Sequence, residues 1–368
     1  MKKNKTIGII TFHQALNYGA VLQAYALKAV CEKLGATVHI IDYEYGGIEE
    51  KLAPVSKFIH ANNKKNAVVP LVRGLLGYPW DKNREKAFYK FREKYLNEST
   101  KCTNAEDIAA LGYDILIGGS DQIWNCGITQ HRYDPVFFMN FDTTSKKILY
   151  GASSEDVPFQ REKEQAFRKA LEGLQGSVSV REKKLADYVE TLTSVKYPVV
   201  ADPTLLAGKE VLDAIEIPEI SSEPYILLYQ IDANLESDIS IKSLEKKFEC
   251  PVYTMTVPRI GDFYGRKGEA GPEEFLALIK GAKFIVTNSF HGIALSVIFQ
   301  KQFFVYENNG VMSRIDGLLN QLKLSNRKVK MCEDISQDKL IDYEKVAGKV
   351  NVMRQNSMEF LVQAINED

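Results

Sequence analysis

The chain has 368 residues, 45% of them hydrophobic and 26% charged, with a formal net charge of −1. That length exceeds what one hydrophobic core usually serves, so two domains are expected. The even charge balance excludes a global pull toward nucleic acid or an anionic membrane, no tract is biased enough for disorder, and no run of about 18 apolar residues is present to span a bilayer.

The N-terminus is basic, and the apolar run 7–12 behind it is too short for a signal-peptide core. It reads as a first buried strand, followed by the loop 13–19. Ala20, Val21, Ala24, Leu27, Cys31 and Leu34 then recur at threes and fours, which is one helix face, and Gly35 stops it. Val38, Ile40 and Ile41 resume as a strand ending at Asp42, giving a βαβ unit with a right-handed crossover. From about 46 to 105 the pattern weakens. A segment with Pro54, Pro70 and Pro79 reads as an insertion over the domain edge, and 82–96 as an exposed amphipathic helix with Phe88, Phe91 and Tyr95 inward. Strands are expected at 114–117, 148–152, 178–180 and 199–201, with helices at 160–174 and 183–192. Asp202-Pro203-Thr204 closes this half, and the polar stretch 206–224 marks a boundary between domains 1–206 and 207–368. The second half repeats the alternation, with strands at 225–229, 252–257, 284–287 and 303–306. Its helices are at 238–248, 272–279, 292–299, 314–322 and 343–365, the last of which is expected to pack back on the N-terminal domain. The fold class is α/β: two doubly wound, Rossmann-like domains facing a central cleft.

Cys31, Cys102, Cys126, Cys250 and Cys332 are widely spaced and form no CxxC pair. This argues against a disulfide framework or structural zinc, and for reduced thiols in a cytoplasmic protein. His13, His39, His60 and His131 show no metal-ligand spacing, so no metal is expected. There is no P-loop, HExxH, GxSxG or EF-hand loop.

Ligands of open parallel sheets bind beyond the carboxyl ends of the strands. Those positions hold His13, Asn17-Tyr18-Gly19, 118–124, Ser153-Ser154, Arg181-Glu182, Asp202, 288–292 and Glu307. The sharpest segment is Thr287-Asn288-Ser289-Phe290-His291-Gly292. Asn288 and Ser289 can cap the helix that follows, and its free first-turn N–H groups, up to Gly292, make an anion site. His291 there suits proton transfer, the alternative being a satisfied first-turn residue. Arg181 has the right shape for a carboxylate or phosphate, or else forms a surface pair with Glu182 or Glu155. Gly118 and Gly119 let a ligand approach the backbone, Asp121 is a candidate base, and Trp124 is either a stacking surface for a sugar or a core residue. Asn17, Tyr18 and Gln122 complete a candidate acceptor side, although Asn17-Tyr18-Gly19 also reads as a capped helix start and, with one glycine, gives no case for NAD. Arg314 either reaches a phosphate or is a solvated charge.

Together these stretches resemble the polysaccharide pyruvyl transferase family. The resemblance is carried by residues 7–12 and 17–27, by Gly118-Gly-Ser-Asp-Gln-Ile-Trp-Asn125, by Val180-Arg-Glu182, by Asp202-Pro-Thr-Leu205 and by 287–292. It implies a GT-B-like fold, phosphoenolpyruvate as donor, no metal or redox cofactor, and a cyclic pyruvate ketal as product. The implied acceptor is a sugar, often a terminal hexose such as galactose on a lipid-linked surface-glycan precursor. It matches Arg181 to a donor-binding arginine, His291 to the active-site histidine and, loosely, Arg314 to a family arginine. No nucleic acid partner is implied; self-association and a peripheral contact with the inner membrane face stay open. Two other readings stand beside it: a nucleotide-sugar glycosyltransferase on the same fold, and a non-catalytic binding protein of glycan assembly.

Overall fold

Two parallel sheets organise the chain. In the computed structural model, residues 4–45, 82–155, 157–231, 245–255, 265–266, 270–306, 312–329 and 340–367 are described. The expected proline-bearing insertion, His60, Glu307, Cys332, most of the helix at 238–248 and the end of the strand at 252–257 lie outside them.

The first half contains β1 (Thr6–Ile10), α1 (Tyr18–Lys33), β2 (Thr37–Ile40), α2 (residues 82–95), α3 (Ala105–Ala110), β3 (Ile115–Gly118), β4 (Lys146–Ala152), α4 (Arg161–Glu172), β5 (Ser177–Val180), α5 (Lys183–Thr193) and α6 (Pro203–Asp213). Its five strands run in the order β2-β1-β3-β4-β5, all parallel. The expected strand at 199–201 is instead a single bridge from Val199 to Val180 at the edge of β5. Pro198 supplies only its carbonyl to Val180 N–H there, and the chain turns away into α6.

The second half contains β6 (Ile226–Tyr229), β7 (Val252–Thr254), β8 (Gly265–Arg266), α7 (Pro272–Gly281), β9 (Phe284–Thr287), α8 (Phe290–Ile298), β10 (Gln302–Tyr306), α9 (Ser313–Leu322), β11 (Lys328–Val329) and α10 (Tyr343–Asn366). These six strands are also parallel, in the order β11-β10-β9-β6-β7-β8.

Both sheets are buried on two faces, so their strands read as continuous apolar runs. The period-2 alternation sends Leu227, Tyr229 and Ile285 to one side, while Ile226, Leu228 and Val286 enter a separate outer cluster. Ile7, Ile9, Ile115 and Ile117 of the first sheet join the same inner core as Leu227 and Ile285. That shared core includes α1, which is buried along most of its length rather than on one face. Helix α6 packs against α1, α8 and α10, and its residues on both sides of the 206/207 position belong to the shared core. Helix α10 returns to the first half: Ser357 Oγ accepts from Ala201 N–H at 2.8 Å, and Arg354 donates to Leu206 O at 3.0 Å. Cys31, Cys102, Cys126 and Cys250 are free and buried. No helix among the described residues is long and apolar enough to cross a membrane.

Candidate active site

Strand order locates the crevices. In the first sheet the order reverses between β1 and β3, and in the second between β6 and β9. A doubly wound sheet opens a ligand crevice at such a switch point, beyond the strand ends. In the second half, Asn288 Oδ1 accepts from Ile231 N–H at 2.8 Å, tying the end of β9 to the end of β6. Ser289 then caps α8, its Oγ accepting from Gly292 N–H at 3.3 Å, while Thr287 Oγ1 accepts from Ser289 N–H at 3.0 Å. Position 292 has no room for a side chain, because a Cβ there would lie 2.5 Å from Thr287 Oγ1. The result is a tight strand-to-helix turn that holds His291 in the first turn of α8.

His291 is buried, with 8% of its surface exposed. Its Nε2 lies 3.4 Å from Asp202 Oδ2, an ionic contact somewhat longer than a settled hydrogen bond. The same Asp202 oxygen accepts from Arg181 Nη1 at 2.8 Å. The other Asp202 oxygen caps α6, accepting from Thr204 N–H at 2.9 Å and from Thr204 Oγ1–H at 2.7 Å. Burial alone raises the Asp202 pKa, but His291, Arg181 and the Thr204 hydroxyl outweigh it and hold the carboxyl well below the usual carboxylate range.

Arg181 does not present a free fork to the cleft. Its Nε donates to Glu182 Oε1 at 2.8 Å, Nη1 to Asp202, and Nη2 to Ser153 Oγ at 3.0 Å. Ser153 Oγ–H in turn donates to Glu182 Oε1 at 2.8 Å. The guanidinium also lies over the Phe290 ring, 4.6 Å from its centroid. Burial opposes its charge, yet Glu182 and then Asp202 raise its pKa further. The partner expected for a surface pair, Glu182, is present, but the pair is buried and is joined by a second, unexpected carboxylate.

The third strand-end group approaches from the first sheet. Asp121 is buried in the left-handed region at φ 64°, which Asp tolerates, and its charge acts on Arg181. Gln122, with its amide oriented so that the carbonyl faces the guanidinium, accepts from Arg314 Nη1 at 3.1 Å and Nη2 at 3.2 Å. Arg314 therefore reaches from α9 of the second half to the loop after β3 of the first.

Two members of the expected acceptor side lie elsewhere. Trp124 is fully buried, stacked on Phe138 with centroids 5.3 Å apart and edge-on to Phe167; it is a core residue with no face for a sugar. Tyr18 is buried as well, stacked on Phe275 at 4.4 Å with its hydroxyl donating to Ala270 O at 2.8 Å, so it joins the two halves. Asn17 caps α1, accepting from Gly19 N–H at 2.9 Å and Ala20 N–H at 3.3 Å.

Sequence reasoning placed Asp202 and Gly19 among the strand-end positions but assigned neither a task beside His291. Asp202-Pro203-Thr204 has the form of a helix start, and that sufficient explanation conceals the work of the second carboxylate oxygen. Gly19 underlies the His291 ring: a Cβ built on it would lie 2.0 Å from Nδ1 and 2.3 Å from Cγ. A second polar cluster was also invisible to spacing. His13 Nε2 lies 3.1 Å from Glu98 Oε1 and 4.0 Å from Asp42 Oδ1, and Arg92 binds the same Glu98. These ligand-type atoms, all within 4.8 Å of one another, come from three separate segments.

A family model described as polysaccharide pyruvyl transferase matches residues 17–310, most of the chain, including Asp121, Arg181, Asp202 and His291 but not Arg314. No curated protein matches the sequence significantly. Among solved structures, a Methanocaldococcus jannaschii UDP-GlcNAc 2-epimerase in complex with UDP-GlcNAc and UDP is 12% identical, covering 99% of each chain at a TM-score of 0.49. The glycosyltransferase SnogD from Streptomyces nogalater is 10% identical, covering 97% of this chain and 95% of its own at a TM-score of 0.43.

Proposed function

Because the chain belongs to the polysaccharide pyruvyl transferase family, we propose that it moves the pyruvyl group of phosphoenolpyruvate onto a sugar and closes a cyclic ketal there. The observation that carries this reading is the His291–Asp202 contact at the amino end of α8, on a topological switch point.

The chemistry needs one proton delivered and two removed. C3 of the enol takes a proton and becomes a methyl group, and positive charge develops at C2. One sugar hydroxyl adds to C2 and gives up its proton. A second hydroxyl then displaces inorganic phosphate, which leaves with the remaining proton. A single imidazole that accepts a hydroxyl proton and delivers one to C3 balances the first stage. His291 is the residue for that task, and Asp121 is a base for the second hydroxyl.

The donor carries a carboxylate and a phosphate of about −1.5 to −2 charge. Ser289 satisfies Gly292 N–H, which leaves the earlier amides at the positive end of α8 for an anion. Arg314 offers a guanidinium across the cleft at Gln122. Arg181, with Glu182 and Asp202 on it, contributes charge and positioning more than an open fork. A ketal bridges two hydroxyls of one ring, so the acceptor is a sugar diol; a terminal hexose such as galactose on a lipid-linked precursor is the substrate we assign.

The test is phosphate release from phosphoenolpyruvate with a panel of galactosides, glucosides and mannosides, with mass spectrometry of the sugar product. We expect phosphate and pyruvylated sugar in equal amounts with at least one acceptor. Absence of product with every acceptor, alongside hydrolysis of a nucleotide sugar, would overturn the assignment in favour of glycosyl transfer.

A further inference from the structure

We propose that Asp202 is the positioning residue for His291, and that Asp202 and Gly19 together make the histidine competent only where the two halves of the chain meet. The inference rests on the reading of His291 as the proton-transfer group.

Both supports belong to the first half, one at the start of α6 and the other in the first turn of α1, whereas His291 belongs to α8 of the second. Asp202 receives four protein contacts: two from Thr204 on one oxygen, and one each from Arg181 and His291 on the other. A buried carboxylate holding an arginine is ionised, so it can only accept. A bare imidazole lone pair against that oxygen would be repulsive. The nitrogen facing it, Nε2, therefore carries a proton, and in the neutral ring the lone pair sits on Nδ1. The 3.4 Å separation suits this role, because such contacts are often long before substrate arrives. Asp202 thereby decides which nitrogen does chemistry, as carboxylate partners of histidine commonly do.

Gly19 fixes where that nitrogen lies. A Cβ at this position would fall 2.0, 2.3 and 2.6 Å from Nδ1, Cγ and Cε1 of His291. These atoms are a rigid ring backed by Asp202, not the end of a flexible chain, so even one methyl group displaces the imidazole. The ring is thus seated between a carboxylate and a bare stretch of helix, neither of which its own half supplies.

A purely structural role for Asp202, as the cap of α6, is the competing account, and Asp202→Asn separates the two. Asparagine keeps an oxygen for Thr204 but can turn an N–H₂ toward His291, which favours the opposite tautomer. The measurement is a long-range ¹H–¹⁵N spectrum of the histidine rings above pH 8 on the full chain, with His291→Gln assigning the signal. We expect an Nε2-protonated ring in the wild type and an Nδ1-protonated ring in Asp202→Asn. With an acceptor from the panel above, kcat should fall on the order of 10²-fold or more and its pH profile should shift, while calorimetric affinity for phosphoenolpyruvate stays within about threefold. Thr204→Val, which removes one capping hydrogen bond and leaves the other oxygen alone, should keep the wild-type ring signal. Should Asp202→Asn not fold, Gly19→Ala carries the test: it should displace the same ring resonance and lower kcat comparably. An Nδ1-protonated ring in the wild type, or an unchanged signal in both variants, overturns the proposal. The ring spectrum needs no substrate, so failure of the pyruvyl-transfer reading would show separately as absence of product with an intact wild-type tautomer.

Discussion

Replacing Arg181 with Met removes the guanidinium that meets both Glu182 and Asp202 while keeping an apolar stem of similar reach. Both carboxylates are buried, Asp202 completely. Taking one partner from a buried ion pair costs about 3–5 kcal/mol, chiefly because the charge left behind is uncompensated. Asp202 keeps Thr204 and His291, and Glu182 keeps the Ser153 hydroxyl, so we expect a loss near the lower end, about 3 kcal/mol at pH 7. The pH dependence has a definite sign. The folded pKa of Asp202 is depressed from 3.8, so its contribution is fully present above that value and is lost as the pH falls through the folded pKa. Without Arg181 that folded pKa rises, and the variant binds its proton earlier on acidification. The gap between wild type and variant should therefore be widest near neutrality and should shrink as the pH falls through the variant's raised pKa. Urea unfolding followed by circular dichroism at a series of pH values from 7 to 4 measures it. A gap below about 1 kcal/mol at every pH, or one independent of pH, would refute the view of Arg181 as the compensating cation of this cluster.

Arg314→Gln should weaken phosphoenolpyruvate binding by about 10- to 100-fold, as loss of a charge-assisted contact implies; calorimetry showing unchanged affinity would remove Arg314 from the donor site. Trp124→Ala should cost about 3–5 kcal/mol of stability, because a fully buried indole is lost from the Phe138 and Phe167 stack. A stable variant with impaired acceptor binding would instead restore the sugar-platform reading. Glu98 is mostly buried, which works against its charge, but His13 and Arg92 bring its pKa down to about 2 from 4.5. Its contribution is present above pH 4.5 and lost as the pH falls toward 2. Glu98→Gln should therefore destabilise by about 1–3 kcal/mol at pH 7 and flatten the acid limb of the stability profile, both read from thermal melts across that range.

The alternation of buried strands and helices was legible because each parallel strand carries its own apolar run: β1, β3, β4, β6, β9 and β10 all fall where Val, Ile, Leu and Phe cluster. The order of those strands was not, since parallel neighbours are joined by long crossovers and leave no hairpin signal to read. The first-turn position of His291 and the Ser289 cap were legible from local chemistry, because a strand end, a capping Ser and a helix start are contiguous in the chain, whereas Asn288, expected as a second cap, ties β9 to β6 instead. Trp124 and Tyr18 were not, since an aromatic at a strand end suits a ligand or a core equally well, and only the positions of Phe138 and Phe275 decide between them. Arg181 shows the same limit for charge: Glu182 is adjacent in sequence, whereas Asp202 is brought to it by the fold.

The apolar core that runs without a break from Ile7 and Ile9, through α1 and α6, to Leu227 and Ile285 has a mechanical consequence. Two lobes joined by a slender linker can yawn apart at small cost, whereas two lobes sharing an interior cannot do so without wetting it. Access to His291 should therefore come from movement of loops at the rim, with the lobes staying in register. Heating should melt the pair in one cooperative transition rather than shed either lobe first.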